Sequence, residues 1–302
     1  MVRCSLLCLC LAIPACKAKH SGQQARVTSA RPAPKPPPRA SVASKAAPEP
    51  SVTATASASA SSAPAPRIAE ETPPVRRHTD VRKSRDTSGQ HRMQEAKAGK
   101  TTVVKGIFAE AGLSWPPRQL LLRAFKKENR LEVWASDEAK GPLTHVTTYE
   151  ICYASGELGP KRQEGDSQVP EGFYRIVWFK AKSDYHMAMQ VSYPNTSDRV
   201  LGHPQHPGGE IMIHGDCVSI GCLAMSDERI EELWVIARSA PRPIDVHIFP
   251  TRDMEGLLAQ SPGSPHRAFW LNLKEGFDRF DAGHERFGVR VKRDGRYTFF
   301  DR

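Results

Sequence analysis

The sequence predicts a mainly β domain with a few helices, carried behind a long arm that cannot pack. From residue 119 onward, short apolar or alternating runs recur between turn residues, which is the period-two pattern of strands. Residues 21–74, by contrast, are built from Ala, Ser, Pro and basic residues, with too few large apolar groups to offset the entropy of ordering them.

Order is expected to begin near Thr101. The first strands fall at residues 119–125, 130–135 and 144–154, followed by 173–179, 187–192 and the apolar run 210–214 that ends in His214. Ser226 reads as a helix N-cap. Asp227 and Glu228 occupy the first turn, and Ile230, Leu233, Trp234 and Ala237 repeat at core spacing until Pro241 closes the helix. Residues 244–249 alternate as another strand, and Ser264-Pro265 opens a helix through Phe269, Trp270 and Leu273. A hairpin closes the chain, with Asp294-Gly295 as the pair favoured by a two-residue type I′ turn. The expected sheet is mostly antiparallel, and the sequence has no internal repeat.

Charge divides the chain in the same place. The formal net charge is +10, yet residues 1–100 hold 17 Lys and Arg against 6 Asp and Glu, whereas the remaining 202 residues hold 26 against 27. The basic balance therefore belongs to the arm. It excludes no anionic surface as a partner for the arm, but gives no support for a nucleic-acid groove in the folded part. Residues 1–16 read as an export signal: Arg3 supplies a positive charge, and residues 5–15 form an apolar run too short to span a bilayer. The run stops at Ile13-Pro14-Ala15-Cys16, which resembles a bacterial lipobox with Cys16 as the lipidated residue, apart from the proline; an ordinary cleaved signal is the alternative. Residues 17–100 are then a linker predicted to stay extended, and 101–302 the folded domain.

The chemistry lies between residues 211 and 225. A histidine ending an apolar strand is usually a satisfied structural residue. Here it is followed by Asp216-Cys217-Val218-Ser219-Ile220-Gly221-Cys222, just ahead of the capped helix, so a strand-end imidazole and a cysteine before a helix can converge. A cysteine nucleophile attacks as the thiolate and needs a nearby base, which His214 can be. The ring must be oriented through its other nitrogen, for which a backbone carbonyl near Gly215 is the expected partner. Gly221 allows close backbone approach, the amides of Gly221 and Cys222 are candidate oxyanion donors, and Ser219 is expected to brace the turn or donate to the substrate.

His214-Gly215 followed by Ser219-x-Gly221-Cys222 resembles the signature of the YkuD-type L,D-transpeptidases. Residues 159–161, 164–166 and 170–174 resemble that family's glycine-rich entry and its Thr-Pro-x-Gly turn, with Val169 in place of Thr. Tyr193-Pro194-Asn195 with Asp198 is similar to the YafK-like subfamily. The resemblance covers roughly residues 115–300 and implies a β-sandwich with the cysteine in a cleft. It also implies attack by Cys222 on the L-centre carbonyl of a diamino acid in a peptidoglycan stem peptide, giving a thioester. An amine acceptor would give a cross-link or attach an outer-membrane lipoprotein; water would give cleavage, including release of wall-bound lipoprotein. Carbapenems acylate active members of the family. Common members read Ser-His-Gly-Cys-x-Arg, whereas Ile220 and Ala224 stand at two of those places here, and the interval from histidine to cysteine is short. Tyr193, Asp198 and Lys161 are candidates for lining the donor cleft. The implied setting is the periplasm or cell envelope, with a lipid anchor at Cys16 as an option, and no cofactor is expected.

Two rivals remain open at this point. Cys217 and Cys222 with His214, Asp216, His203 and His206 would suit zinc, although paired Cys-x-x-Cys spacing is absent. A wall-binding module without catalysis would explain the arm but not a free Cys222. Cys152 and Cys217 are expected to form a disulfide that leaves Cys222 free; the alternative is a bond between Cys217 and Cys222.

Overall fold

The protein is described by a computed structural model over residues 88–302. It opens on helix α1 (Ser88–Glu110), which begins ahead of residue 101 and which strand patterning does not anticipate. Ala96, Val104 and Phe108 are buried at spacings of eight and four, one stripe of a mostly polar helix, with Met93 packed beside them. Phe108 meets Trp115 edge-on with ring centroids 5.0 Å apart. So few apolar residues make the helix look like arm by composition.

Nine strands follow: β1 (Gln119–Phe125), β2 (Arg130–Ser136), β3 (Thr144–Glu150), β4 (Tyr153–Ala154), β5 (Gly172–Ser183), β6 (His186–Val191), β7 (Met212–His214), β8 (Leu223–Ala224) and β9 (Asp245–Phe249). Their spatial order is β3-β2-β1-β9-β5-β6-β7-β8-β4. The long strand β5 belongs to two halves: residues 172–175 pair with β9, and residues 176–183 pair with β6 across two irregularities. The sheet turns there, and the two halves enclose a common core with α1 and with α3 (Asp227–Ser239). This is the expected β-rich sandwich, mostly antiparallel, with two parallel pairs, β1 with β9 and β7 with β8.

Strand β1 is buried along its whole length because both of its faces are covered. Leu120, Leu122 and Ala124 enter the core with α1 and α3, while Leu121 and Phe125 enter a second, aromatic core. That second core lies under α4 (Met254–Gln260), α5 (Arg267–Gly283) and the hairpin of β10 (Phe287–Val291) and β11 (Tyr297–Asp301). Arg123 sits in it fully buried, its Nη1 2.8 Å from Asp281 Oδ1 and its guanidinium over the ring of Phe280.

Several boundaries differ from the sequence expectation. The run 144–154 breaks into β3 and β4 at residues 151–152, and β7 begins only at Met212 because Glu210 adopts φ +52°, outside the strand region. The short helices α2 (Thr196–Leu201) and α4 were not foreseen, since neither has enough turns to show a period. The hairpin loop holds three residues rather than two: Lys292 N–H donates to Arg296 O at 2.8 Å, and Gly295 takes φ +84°. Among the described residues, no helix is long and apolar enough to cross a membrane.

Candidate active site

Strand β7 ends on His214 and β8 begins immediately after Cys222. The two strands pair in parallel, Ile213 opposite Leu223 and His214 opposite Ala224. One step back, Cys222 lies beside Met212, whose N–H reaches Sγ at 3.4 Å. The sulfur also reaches towards the carbonyl oxygen of Glu210, at 3.8 Å, and His214 stands two residues along β7 from Met212.

The ring of His214 is buried, and its Nδ1 lies 2.7 Å from the carbonyl oxygen of Gly215. A carbonyl only accepts, so Nδ1 carries the proton of the neutral ring and Nε2 is left as a base. Burial lowers the imidazole below its ordinary value, with the Gly215 bond and Asp216 opposing. Burial also raises the Cys222 thiol, against the Met212 amide and the charge of Lys161. Both directions keep the proton on sulfur, so the resting pair is a neutral thiol and a neutral imidazole. Tyr185, which sequence reasoning missed, lays its ring 4.8 Å from that of His214.

The short loop between them is built from unusual backbone. Asp216 and Cys217 adopt φ of +66° and +39°, and Gly221 adopts +121°, a region that L side chains avoid. A Cβ at Gly221 would also stand 3.3 Å from Gln168 O. Gly215 is required for space: a Cβ there would be 2.5 Å from Asp227 Oδ1, the oxygen that accepts from Asp216 N–H at 2.8 Å. Ser219 Oγ accepts from Cys222 N–H at 2.7 Å and donates to Cys222 O at 2.8 Å. Ser219 thus braces the turn, and the Cys222 amide, expected as an oxyanion donor, is already engaged. A disulfide joins Cys217 to Cys152, with Cα atoms 5.5 Å apart, and staples the loop next to β4, which pairs with β8. Cys222 is the one free cysteine among the described residues.

Residues 157–171 form the adjoining wall. Lys161 is buried there, its Nζ 2.5 Å from Asp166 Oδ1 and 2.8 Å from Gln163 O. Burial pushes Asp166 up, but Lys161 and the N–H groups of Gln163, Arg162 and Gln168 more than offset it and hold the carboxylate below its usual value. Both ends of the wall are tied to the buried Lys126. Its three N–H groups are shared among Glu157 O (2.9 Å), Gly159 O (2.7 Å), Val169 O (3.0 Å) and Glu171 Oε1 (3.1 Å). No local motif marks Lys126, because its partners are mostly carbonyls.

Tyr193 and Asp198 are both buried, each with its polar group engaged inside the protein. Asp198, 1 % exposed, is committed to the capping box of α2, accepting from Asn195 N–H at 2.9 Å and from Tyr174 OH at 3.2 Å. Burial raises its carboxyl to about 7. Tyr193 is buried and donates to Pro207 O at 2.7 Å, supporting the loop 203–210. His203 and His206 pair with each other on that loop, ring centroids 5.4 Å apart. Cys217 is spent in the disulfide, and among the described residues no three His, Cys, Asp or Glu side chains are grouped to hold a metal. Cys16 lies outside the described residues.

A half-buried thiol and an oriented neutral imidazole, held at the edges of two paired strands, are the groups a cysteine-nucleophile site requires. Residues 122–246 match the model of the L,D-transpeptidase catalytic domain, YkuD. YafK of Escherichia coli (strain K12) is 35% identical over 183 residues, spanning 59% of this chain and 72% of YafK. The chain therefore belongs to the YkuD-type L,D-transpeptidase family. Among solved structures, the helical cell shape determining protein Pgp2 from Campylobacter jejuni matches at 18% identity over 63% of this chain and 80% of its own, with a TM-score of 0.38. Bd1075 of Bdellovibrio bacteriovorus matches at 15% identity over 59% and 75%, with a TM-score of 0.33.

Proposed function

We propose that this chain is an exported, peptidoglycan-modifying cysteine acyltransferase. In this reading, residues 1–16 direct export, the segment between them and α1 tethers the domain in the envelope, and Cys16 is a candidate for lipidation. As Sγ of Cys222 attacks the carbonyl carbon of a stem-peptide amide, Nε2 of His214 takes the thiol proton. The Gly221 N–H is the nearby donor for the oxyanion, since Ser219 occupies that of Cys222. His214 then returns the proton to the leaving amine, the C–N bond breaks, and the acyl group remains as a thioester. An incoming amine, deprotonated by His214, resolves it and regenerates the thiol.

The observation that carries the reading is the Nδ1 contact of His214 with Gly215 O at 2.7 Å, which leaves the basic nitrogen on a ring two residues along the strand from Met212, whose N–H meets the Cys222 sulfur. Lys161, buried and electrostatically coupled to Cys222, is the candidate for holding a donor carboxylate where Ala224 replaces the arginine of common members. Hydrolysis, with water as the acceptor, is the second reading, favoured by the absence of that arginine from the motif and by the short loop.

Incubating the full chain with disaccharide tetrapeptide and resolving the products tests this directly. A cross-linked dimer or a lipoprotein-linked product supports transfer, and tripeptide without dimer supports hydrolysis. Failure to consume the tetrapeptide, or consumption undiminished in Cys222→Ala, overturns the proposal.

A further inference from the structure

On the half of the sheet away from Cys222, β9 and the first part of β5 present a second polar group that the proposed chemistry does not use. The register sets Arg175 opposite Asp245 and Phe173 opposite His247, so these four side chains share the face that looks toward the β10–β11 hairpin. Between that face and the hairpin lies a cavity of about 380 Å³. Its floor is aromatic, from Phe173, Phe287 and Tyr297, and its rim carries Asn195 and Thr196.

Three guanidinium groups converge on the single carboxylate of Asp245. Arg286 reaches Oδ2 through Nη2 at 2.7 Å and Nε at 3.1 Å, Arg302 reaches it through Nη1 at 2.8 Å, and Arg175 Nε lies 3.4 Å from Oδ1. One negative charge faces three positive ones. Arg175 and Arg302 line the cavity and spend only part of their five donors each on Asp245. His247 also lines it, 5 % exposed, with Nδ1 lacking a hydrogen-bond partner in the protein. A buried carboxylate with surplus cationic donors, Arg175 and Arg302 being partly exposed, beside an unsatisfied imidazole and aromatic rings, is suited to a further carboxylate.

We infer that this cavity is a second binding site, which takes a free carboxylate of the peptidoglycan stem peptides and holds the domain on the wall polymer apart from Cys222. The choice of carboxylate rests on the functional reading above; the cationic surplus does not. Planar, forked guanidinium groups match a carboxylate's two oxygens, and the hydroxyl of Thr196 on the rim suits the adjoining peptide bond. Polymer substrates offer many copies of this group, so a second contact raises the local concentration of scissile bonds.

The test compares the full-length chain with Arg175→Gln/Arg302→Gln and with a charge-matched control, Lys127→Gln/Lys140→Gln, which alters two exposed lysines that do not line the cavity. Affinity for purified sacculi is measured together with turnover of soluble disaccharide tetrapeptide. The arginine pair is expected to lose about tenfold in sacculus affinity, as for lost charge-assisted hydrogen bonds, with soluble turnover unchanged and the lysine control near the parent. Thr196→Trp, which plugs the rim and spares all three arginines, is expected to reproduce the loss should the double variant fold poorly. N-acetyl-D-alanine, as a free carboxylate, is expected to compete with sacculi for the parent. Equal sacculus affinity for the parent, the arginine pair and Thr196→Trp overturns the inference, as does an equal loss in the lysine control, or binding of N-acetyl-D-alanine without any effect on sacculi. If the parent binds sacculi in this arginine-dependent way but turns over no soluble substrate, the catalytic reading fails while the second site stands.

Discussion

His214 and His247 sit on strands of the same sheet, both buried, both lowered by desolvation, and they differ in one contact. His214 has its Nδ1 proton fixed by Gly215 O, on the strand whose Met212 N–H meets the Cys222 thiol. His247, pressed among Phe173, Phe249 and Phe287, has no partner at Nδ1, and burial takes it down to about 3. Burial by itself makes a histidine neutral. A fixed tautomer next to a nucleophile makes it a base. The same contrast holds for backbone: the loop 215–221 concentrates positive-φ residues, a serine brace and a disulfide, whereas the half carrying His247 is regular strand under aromatic rings.

The largest expected effect breaks the symmetry of the two histidines. His214→Ala is expected to lower kcat/KM for the tetrapeptide by about 10³-fold, the usual worth of a general base, while His247→Leu leaves it near the parent's; equal losses would erase the distinction drawn here. Next comes the staple. Replacing Cys152 and Cys217 by Ala is expected to cost about 2–4 kcal/mol in urea unfolding, as for other native disulfides, and to lower turnover because the catalytic loop is the segment released.

The glycines sharpen the comparison further. Gly221→Ala and Gly295→Ala both force an L side chain to positive φ, at a cost of about 1–3 kcal/mol each. Only the first is expected to lower kcat, since Gly221 flanks Cys222 whereas Gly295 turns the hairpin against Leu201. Stability curves and kcat for both variants check this.

The remaining expectations concern pH. His214 must be neutral to accept a proton, and its folded value lies below 6.5, so activity is present above that value and is lost as the pH falls through it. The acid limb of the kcat/KM profile is therefore expected below 6.5. For stability, His247 takes up a proton near 6.5 when unfolded but only near 3 when folded. Its contribution is present above 6.5 and is lost as the pH falls towards 3, because the unfolded chain binds the extra proton. His247→Leu is expected to flatten the acid side of the stability profile without moving the acid limb of activity.

Much of this was legible in the sequence, and for physical reasons. Strands β1, β2 and β5 and helix α3 carry strong apolar periods or caps, and the His214 to Cys222 segment concentrates residue types that have few other uses together. Helix α1 was hidden because only three of its residues are buried, while Arg92 and Lys100 dock it through His186 O and the carboxylates of α3, and such polar residues average out as linker. The placement of Tyr193 and Asp198 was not legible, since capping and cleft lining ask for the same residue types. Lys126 and the arginines around Asp245 come from distant parts of the chain, and only the sheet register brings them together.

Acylation of Cys222 by a carbapenem, followed by intact mass as a function of time, reads the proposed chemistry at its first step. The account predicts a single adduct on Cys222 in the parent, none in Cys222→Ala, and formation slowed by about 10³-fold in His214→Ala but not in His247→Leu. An adduct forming on His214→Ala at the parent's rate would contradict it.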